Sequence, residues 1–176
     1  MSLESILVSS IMTKNVIVQT EDQTIQAISR TMYENNIGNV LIIRNYIAEE
    51  YSIKQDKIVG IITERDVVRI VGSFDQTLYH IPVREVMSKP IISITPTCSL
   101  KDAIETMQLK NIRRLPVIEP EGKLVGIITS RDIFKIIIKN QDTMSTFINS
   151  NLVPHPDELY ERFTQYWSED ILHKRQ

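Results

Sequence analysis

The chain has 176 residues, with 20 basic and 22 acidic side chains, a formal net charge of −2 and a pI near 5.9, a balance that argues against the basic face needed for general nucleic-acid binding while leaving room for a local basic patch. A hydrophobic share of 42% and a charged share of 24% fit a folded, soluble chain able to bury a core without disulfides. The single cysteine, Cys98, offers neither an internal disulfide nor metal-ligand spacing, no apolar run approaches the ~20 residues of a membrane helix, and MSLESILVSS lacks the basic start and long apolar stretch of a signal peptide, so the expected location is cytoplasmic.

In chain order, Val16 to Val18 is a short β-branched run and predicts a strand. The polar turn TEDQT offers Asp and Thr as caps, and Ile25, Ile28 and Met32 then recur at the spacing of one buried helix face. Val40 to Ile43 is an all-apolar strand. Roughly Asn45 to Asp56 (NYIAEEYSIKQD) is polar and acidic and is expected to be a surface loop. Lys57 to Ile62 reads as a strand buried on both faces, ending at Thr63, which can cap a helix from about Glu64 to Val71. A join at Gly72 to Pro82 follows, and the order repeats. The strand is Ile91 to Ile94, the turn TPTCS, and the helix carries Leu100, Ala103, Ile104 and Met107 on its inner face. Leu115 to Ile118 is a strand, Pro120 and Glu121-Gly122 make a tight turn, and Lys123 to Ile128 leads through Thr129 into a helix from Ser130 to Lys139. From about Asn140 the pattern changes. Pro156-Asp157-Glu158 looks like a helix start, and Leu159, Phe163, Tyr166, Trp167 and Ile171 mark an amphipathic helix over about 156–172.

The two halves say the same thing. KIVGIITERD (Lys57 to Asp66) returns as KLVGIITSRD (Lys123 to Asp132). At a shift of 75, Val8, Met12, Lys14, Ile17, Thr20, Met32, Asn36, Ile37 and Ile43 meet like residues, ending with Ile43 on Ile118. The shift then falls to 66, so the first copy carries nine extra residues. The predicted fold is α/β (α+β): two β-α-β-β-α repeats, residues 1–75 and 76–140, packed about a pseudo-two-fold, and a helical tail, 141–176.

Thr63-Glu64-Arg65-Asp66 and Thr129-Ser130-Arg131-Asp132 each place a hydroxyl at a helix start and a carboxylate three residues on. Such a pair resembles a capping box with Asp in place of Glu. It is also what a small metabolite needs. The helix start offers N–H groups to an anion, the carboxylate can accept both hydroxyls of a ribose, and Gly60 or Gly126 leaves backbone space nearby. The residues alone are compatible with both readings. Arg113 and Arg114 precede Leu115 and suit phosphate oxygens, with a solvated surface pair as the plainer reading. The first copy has Gly38 and Asn39 there, so the two places should differ in phosphate affinity. Nothing suggests an enzyme: there is no HExxH, GxSxG or Walker loop, His80 lies in the join, His155 and His173 in the tail, and Cys98 has no neighbouring His.

The pieces Val86-Met87-Ser88, Ile91 to Gln108, IRRLPVI and KLVGIITSRD, with SSIMTKNVIVQT, NNIGNVLII and KIVGIITERD in the first copy, resemble a tandem pair of cystathionine β-synthase (CBS) domains over about residues 8 to 139. The resemblance implies a disc of two α/β units with a cleft on either side, and a non-catalytic sensor of adenosine derivatives: AMP, ADP, ATP or S-adenosylmethionine. It places the ribose carboxylate on Asp66 and Asp132, the phosphate-side hydroxyl on Thr63 and Thr129, and the adenine beside Ile17 to Thr20 and Ile92 to Thr95. Arg113, Arg114, Pro116 and Arg131 complete the implied binding set. Leu41 replaces the proline in the first copy. The resemblance needs no cofactor beyond the regulatory nucleotide and implies a homodimer; the tail lies outside it, and its amphipathic helix is expected to dock on its own domain, with a second subunit or a protein partner as the alternative. An interaction protein with vestigial ligand sites is the alternative.

Overall fold

The computed structural model describes residues 3–48, 53–73 and 80–139. The tail helix expected over 156–172, with His155 and His173, lies outside the described residues. The elements are α1 (Val8–Ile11), β1 (Val18–Thr20), α2 (Ile25–Glu34), β2 (Asn39–Ala48), β3 (Ile53–Thr63), α3 (Glu64–Ser73), α4 (Leu100–Lys110), β4 (Arg114–Ile118), β5 (Leu124–Thr129) and α5 (Ser130–Lys139), with a 3-10 turn at Val83–Glu85 before α4. Two compact units emerge. One gathers the described residues up to Ile11, Thr97–Arg114 and those from Ile128 on; the other gathers those of Met12–Pro96 with Leu115–Ile127. No helix of the described residues is long and apolar enough to cross a membrane.

In the second of these units β1 pairs parallel with β2, and β2 antiparallel with β3. α2 and α3 pack together, and Ile25, Ile28, Met32, Val40, Ile42, Ile62, Ile70, Val83 and Met87 form its core. Filling an interior with such side chains stabilises by about 1.5–3 kcal/mol each. β3 is buried on one face only: Ile58, Gly60 and Ile62 point inward while Val59 and Ile61 stay half-exposed, which corrects the expectation of a strand covered on both sides. The stretch 45–56 is not a loop up to its tip. β2 and β3 run on as a ribbon, pairing Arg44 with Lys57 through to Ala48 with Ile53, past a register shift at Ile42/Ile43. Its backbone groups satisfy one another across the ribbon, which a loop of that length would leave to water. The strand expected at Ile91 to Ile94 shrinks to one parallel bridge, Ile94 to Val117.

In the other unit α5 packs on α1 and α4, and Leu100, Ala103, Ile104 and Met107 of α4 are all buried. Thr24 caps α2 and Ser99 caps α4. After α2 and α4 the chain turns through Asn36 (φ 50°) and Asn111 (φ 51°), whose left-handed conformation asparagine tolerates better than most residues. In both places the next amide reaches back, Ile37 to the Met32 carbonyl at 3.0 Å and Ile112 to that of Met107 at 2.9 Å.

The leading segments of the two repeats are exchanged. The segment before β1 bonds to the second repeat: the Val8 amide to the Cys98 carbonyl (2.9 Å), Leu100 to Ile6 (2.8 Å), and Thr13 with Ile127 in both directions (2.9 Å each). The segment before Ile91 bonds to the first: Ile25 to Ile81 (3.1 Å), Val83 to Gln23 (2.7 Å), and Ser88 with Ile61 in both directions (2.9 and 3.2 Å).

Candidate functional site

Both repeated boxes form at a strand-to-helix junction. Thr63 donates from its hydroxyl (2.7 Å) and its amide (2.9 Å) to Oδ2 of Asp66, while the Asp66 amide donates to the Thr63 hydroxyl at 3.4 Å. Thr129 and Asp132 repeat this at 2.6, 3.0 and 3.3 Å. All four side chains are half-buried. The capping reading is therefore realised in full. It does not exhaust the carboxylate, because these bonds converge on Oδ2 and an ionised carboxylate has about four acceptor positions.

A third box provides the control. Ser99 donates to Oδ2 of Asp102 from its hydroxyl (2.7 Å) and amide (2.8 Å), and the Asp102 amide returns a bond at 3.1 Å. The Ser99 hydroxyl, then its amide, hold the Asp102 carboxyl below its ordinary range. This box opens α4, away from the repeated motif. Its existence shows that Ser/Thr-x-x-Asp geometry alone is a helix-starting device, so what distinguishes the other two is their neighbourhood. The Ser99–Asp102 pair has the same three-residue spacing in the sequence but lies outside the repeated motif, which is the signal that marks the other two.

That neighbourhood is built the same way twice. The amide of Glu64, first in α3, donates to the Gly38 carbonyl at 3.2 Å, and the amide of Ser130, first in α5, to the Arg113 carbonyl at 2.9 Å. Arg113 thus stands beside the Thr129–Asp132 box with its side chain exposed, Arg114 is half-buried at the start of β4, and Arg131 is exposed on the first turn of α5. In the first repeat the Leu41 amide donates to the Ile17 carbonyl (3.4 Å), and Asn39, two residues back, lies opposite Thr63. Thr20 instead aligns with Ile43, four positions along β2 from Asn39, and its carbonyl accepts the Gln23 amide in the turn to α2 (3.1 Å). At ~3.3 Å per residue it is about 13 Å from the Thr63 end. The strand direction thus brings Ile17 toward the box and carries Thr20 away. In the second repeat the Ile94 amide donates to the Pro116 carbonyl at 3.0 Å; Pro116 is buried, and Ile92 and Thr95 on either side of Ile94 are half-buried.

The glycines have a different task from the one expected. A Cβ on Gly60 would lie 2.5 Å from Sδ of Met87, and one on Gly126 2.7 Å from Sδ of Met12 and 2.9 Å from the Thr13 carbonyl oxygen. The space beside each glycine is filled by a methionine of the exchanged leading segment rather than left for a ligand. Met12 and Met87 match at the same shift of 75 as the rest of the repeat, so the signal was present without its partner being evident.

The CBS domain profile matches residues 8–73 and again 83–139. An uncharacterized protein of Methanopyrus kandleri is 33% identical over 134 residues, which is 76% of this chain and 64% of that protein's length, so the chain spans less than two thirds of it. Among solved structures, the CBS domain pair of protein MJ0100 in complex with 5′-methylthioadenosine and S-adenosyl-L-methionine is 25% identical with a TM-score of 0.60, covering 74% of this chain and 98% of that one. The hexameric CBS-CP12 protein from bloom-forming cyanobacteria is 28% identical with a TM-score of 0.63, covering 73% and 69%. With the profile matched twice, over most of the chain and in the order of its two internal repeats, this protein belongs to the CBS domain family.

Proposed function

We propose that this protein is a non-catalytic regulatory module that binds an adenosine nucleotide or derivative at the two repeated Thr-x-x-Asp boxes. The observation that carries the reading is the twofold recurrence of one arrangement, in which a half-buried carboxylate, a hydroxyl and a helix start are held against the backbone of the neighbouring strand. A relative of the same fold holds two adenosyl compounds, which supports the ligand class. In this reading Asp66 or Asp132 accepts the ribose hydroxyls. Thr63 or Thr129 and the helix start face the 5′ substituent, joined in the second repeat by Arg113, Arg114 and Arg131. The adenine rests on the strand backbone near Ile17 or Ile92, and Pro116 belongs to the proposed binding set of the second repeat. Regulation follows if the ligand prefers one arrangement of the chain over another, since only differential affinity shifts an equilibrium. Residues 1–75 and 76–140 are the two repeats of one chain, two such chains form a cytoplasmic homodimer, and the tail, 141–176, serves a protein partner.

A thermal shift with AMP, ADP, ATP and S-adenosylmethionine tests it. Ligand at a hundred times its Kd stabilises by about 2.7 kcal/mol, or about 5–10 °C for a chain of this size. Asp66→Ala and Asp132→Ala each reduce the shift, whereas Asp102→Ala, which removes the same box elsewhere, keeps it whole. If all three variants melt lower yet keep the full shift, the carboxylates only start helices and the reading fails. A ligand-independent interaction protein is the second reading, favoured by the exposure of Tyr33 (87%), Leu109 (80%) and Val68 (69%). Self-association that ignores every nucleotide supports it.

A further inference from the structure

The charges flanking the two boxes differ, and we infer that the boxes take adenosine compounds of different charge class: a phosphate-bearing nucleotide at Asp132, and an uncharged or positively charged adenosyl compound at Asp66. This rests on the regulatory reading above and divides its ligand class between the two sites.

The matching backbone bonds make the comparison like for like. Gly38 and Arg113 each give their carbonyl to the first helical amide after the box threonine, at 3.2 and 2.9 Å. At that place the first repeat has no side chain and the second has an exposed guanidinium. The following positions are Asn39 and Arg114. On the helix side the second repeat has Ser130 where the first has Glu64, an exposed acid that joins Asp66 in the first turn of α3, whereas α5 has Asp132 alone there. Arg65 and Arg131 are exposed in both repeats and cancel. The second box is thus more positive by three formal charges. Guanidinium groups grip phosphate oxygens through paired, charge-assisted hydrogen bonds. A second carboxylate on the first turn opposes the pull of a helix start on an anion and favours a cation such as a sulfonium.

Calorimetric titration of the full chain, with ADP, adenosine and S-adenosylmethionine as probes, decides this. Asp66→Ala leaves the second box, which should bind ADP at least tenfold more tightly than adenosine. Asp132→Ala leaves the first, which should prefer S-adenosylmethionine or adenosine to ADP. In the Asp66→Ala background, Arg113→Gln and Arg113→Gly should weaken ADP roughly tenfold to a hundredfold, as loss of a charged hydrogen bond does, with adenosine unchanged and Arg113→Lys recovering part of the loss. In the Asp132→Ala background, Glu64→Ser should tighten ADP about threefold in dilute buffer, fading as salt rises. The same ADP-to-adenosine ratio at both boxes, or an Arg113 effect equal for ADP and adenosine, overturns the inference while leaving the regulatory reading intact. Failure of every adenosine compound to bind the unaltered protein removes both.

Discussion

The first repeat closes its short sheet with a hydrogen bond that the second cannot make. The Glu21 amide donates to the Ile43 carbonyl at 3.0 Å, and at the matching place the second repeat has Pro96, which has no N–H to offer Ile118. β1 survives as three residues, its counterpart as the one bridge at Ile94. The helix ends and the glycine seats behave oppositely. Asn36 and Asn111 adopt the same left-handed turn, and Gly60 and Gly126 receive Met87 and Met12 in the same way. The backbone devices that close each repeat are duplicated, while the charges and loop lengths around them are not. A ligand preference that differs between the repeats must therefore come from side chains placed on a common frame.

The largest effect expected from testing that symmetry lies at the glycines. A methyl group forced into a filled seat costs about 1–3 kcal/mol, or about 2–4 °C of Tm per kcal/mol at this chain length. Gly126→Ala should cost more than Gly60→Ala. At Gly126 the added carbon meets the Thr13 carbonyl at 2.9 Å, whereas at Gly60 the nearest backbone atom, the Ser88 carbonyl, stands at 3.1 Å and the tighter neighbour is a flexible thioether. In a Met87→Ala background Gly60→Ala should therefore cost much less than it does alone, and in a Met12→Ala background the cost of Gly126→Ala should shrink less. A double-mutant cycle from urea unfolding measures both couplings; strictly additive losses would mean the methionines do not occupy the seats in solution.

The helices were legible because each signal for them is local. α5 begins at Ser130 and ends at Lys139, as the pattern predicts, and the inner face of α4 is the four residues its spacing marks. The exchange of leading segments was not legible. Thr13 meets Ile127, and Ser88 meets Ile61, across long stretches of chain, and no local periodicity encodes which of two similar strands a segment will join. The ribbon beyond Arg44 was hidden by composition. Polar residues suggest a loop, but the backbone pairing of a two-stranded ribbon accommodates them as well. At the site, the hydroxyl and carboxylate could be paired from spacing; that Thr20 lies far from them follows from strand direction, which spacing leaves open.

The three boxes provide the next test. Removing an N-terminal capping bond costs about 1 kcal/mol, so Asp66→Ala, Asp102→Ala and Asp132→Ala should lower unliganded stability by similar amounts, read as shifts in the urea midpoint. Asp102 adds a pH signature. Its carboxyl sits below the ordinary 3.8 in the folded chain, chiefly through the Ser99 hydroxyl. The box therefore stabilises fully above that value and is lost as pH falls through the folded one, and Asp102→Ala should flatten that part of the acid limb. A much larger loss at Asp66 or Asp132 would mean their carboxylates hold more than a helix start. The asparagine turns should respond alike: Asn36→Ala and Asn111→Ala each remove the short polar side chain that makes the left-handed region tolerable, at about 1 kcal/mol, while the glycine variants come within a few tenths of the unaltered protein.

The smallest effect belongs to a feature of the first repeat alone. Arg44 grips Glu21 with both arms of its guanidinium, Nη2 to Oε2 at 2.7 Å and Nε to Oε1, where the second repeat has Pro96 and Glu119. The Arg44 hydrogen bond holds the Glu21 carboxyl below its ordinary 4.5. A depressed carboxylate stabilises above the unfolded value and loses that contribution as pH falls through the folded one, so the pair acts at neutral pH and vanishes in acid. The Arg44 side chain is 59% exposed, however, and exposed pairs are worth roughly 0.2–1 kcal/mol before screening. Arg44→Ala should then lower the urea midpoint slightly at pH 7 in dilute buffer, by less at pH 3, and hardly at all in about 1 M salt, where the screening length falls to ~3 Å. An undiminished loss in high salt would assign the contribution of Arg44 to packing of its aliphatic stem at the base of the ribbon rather than to charge.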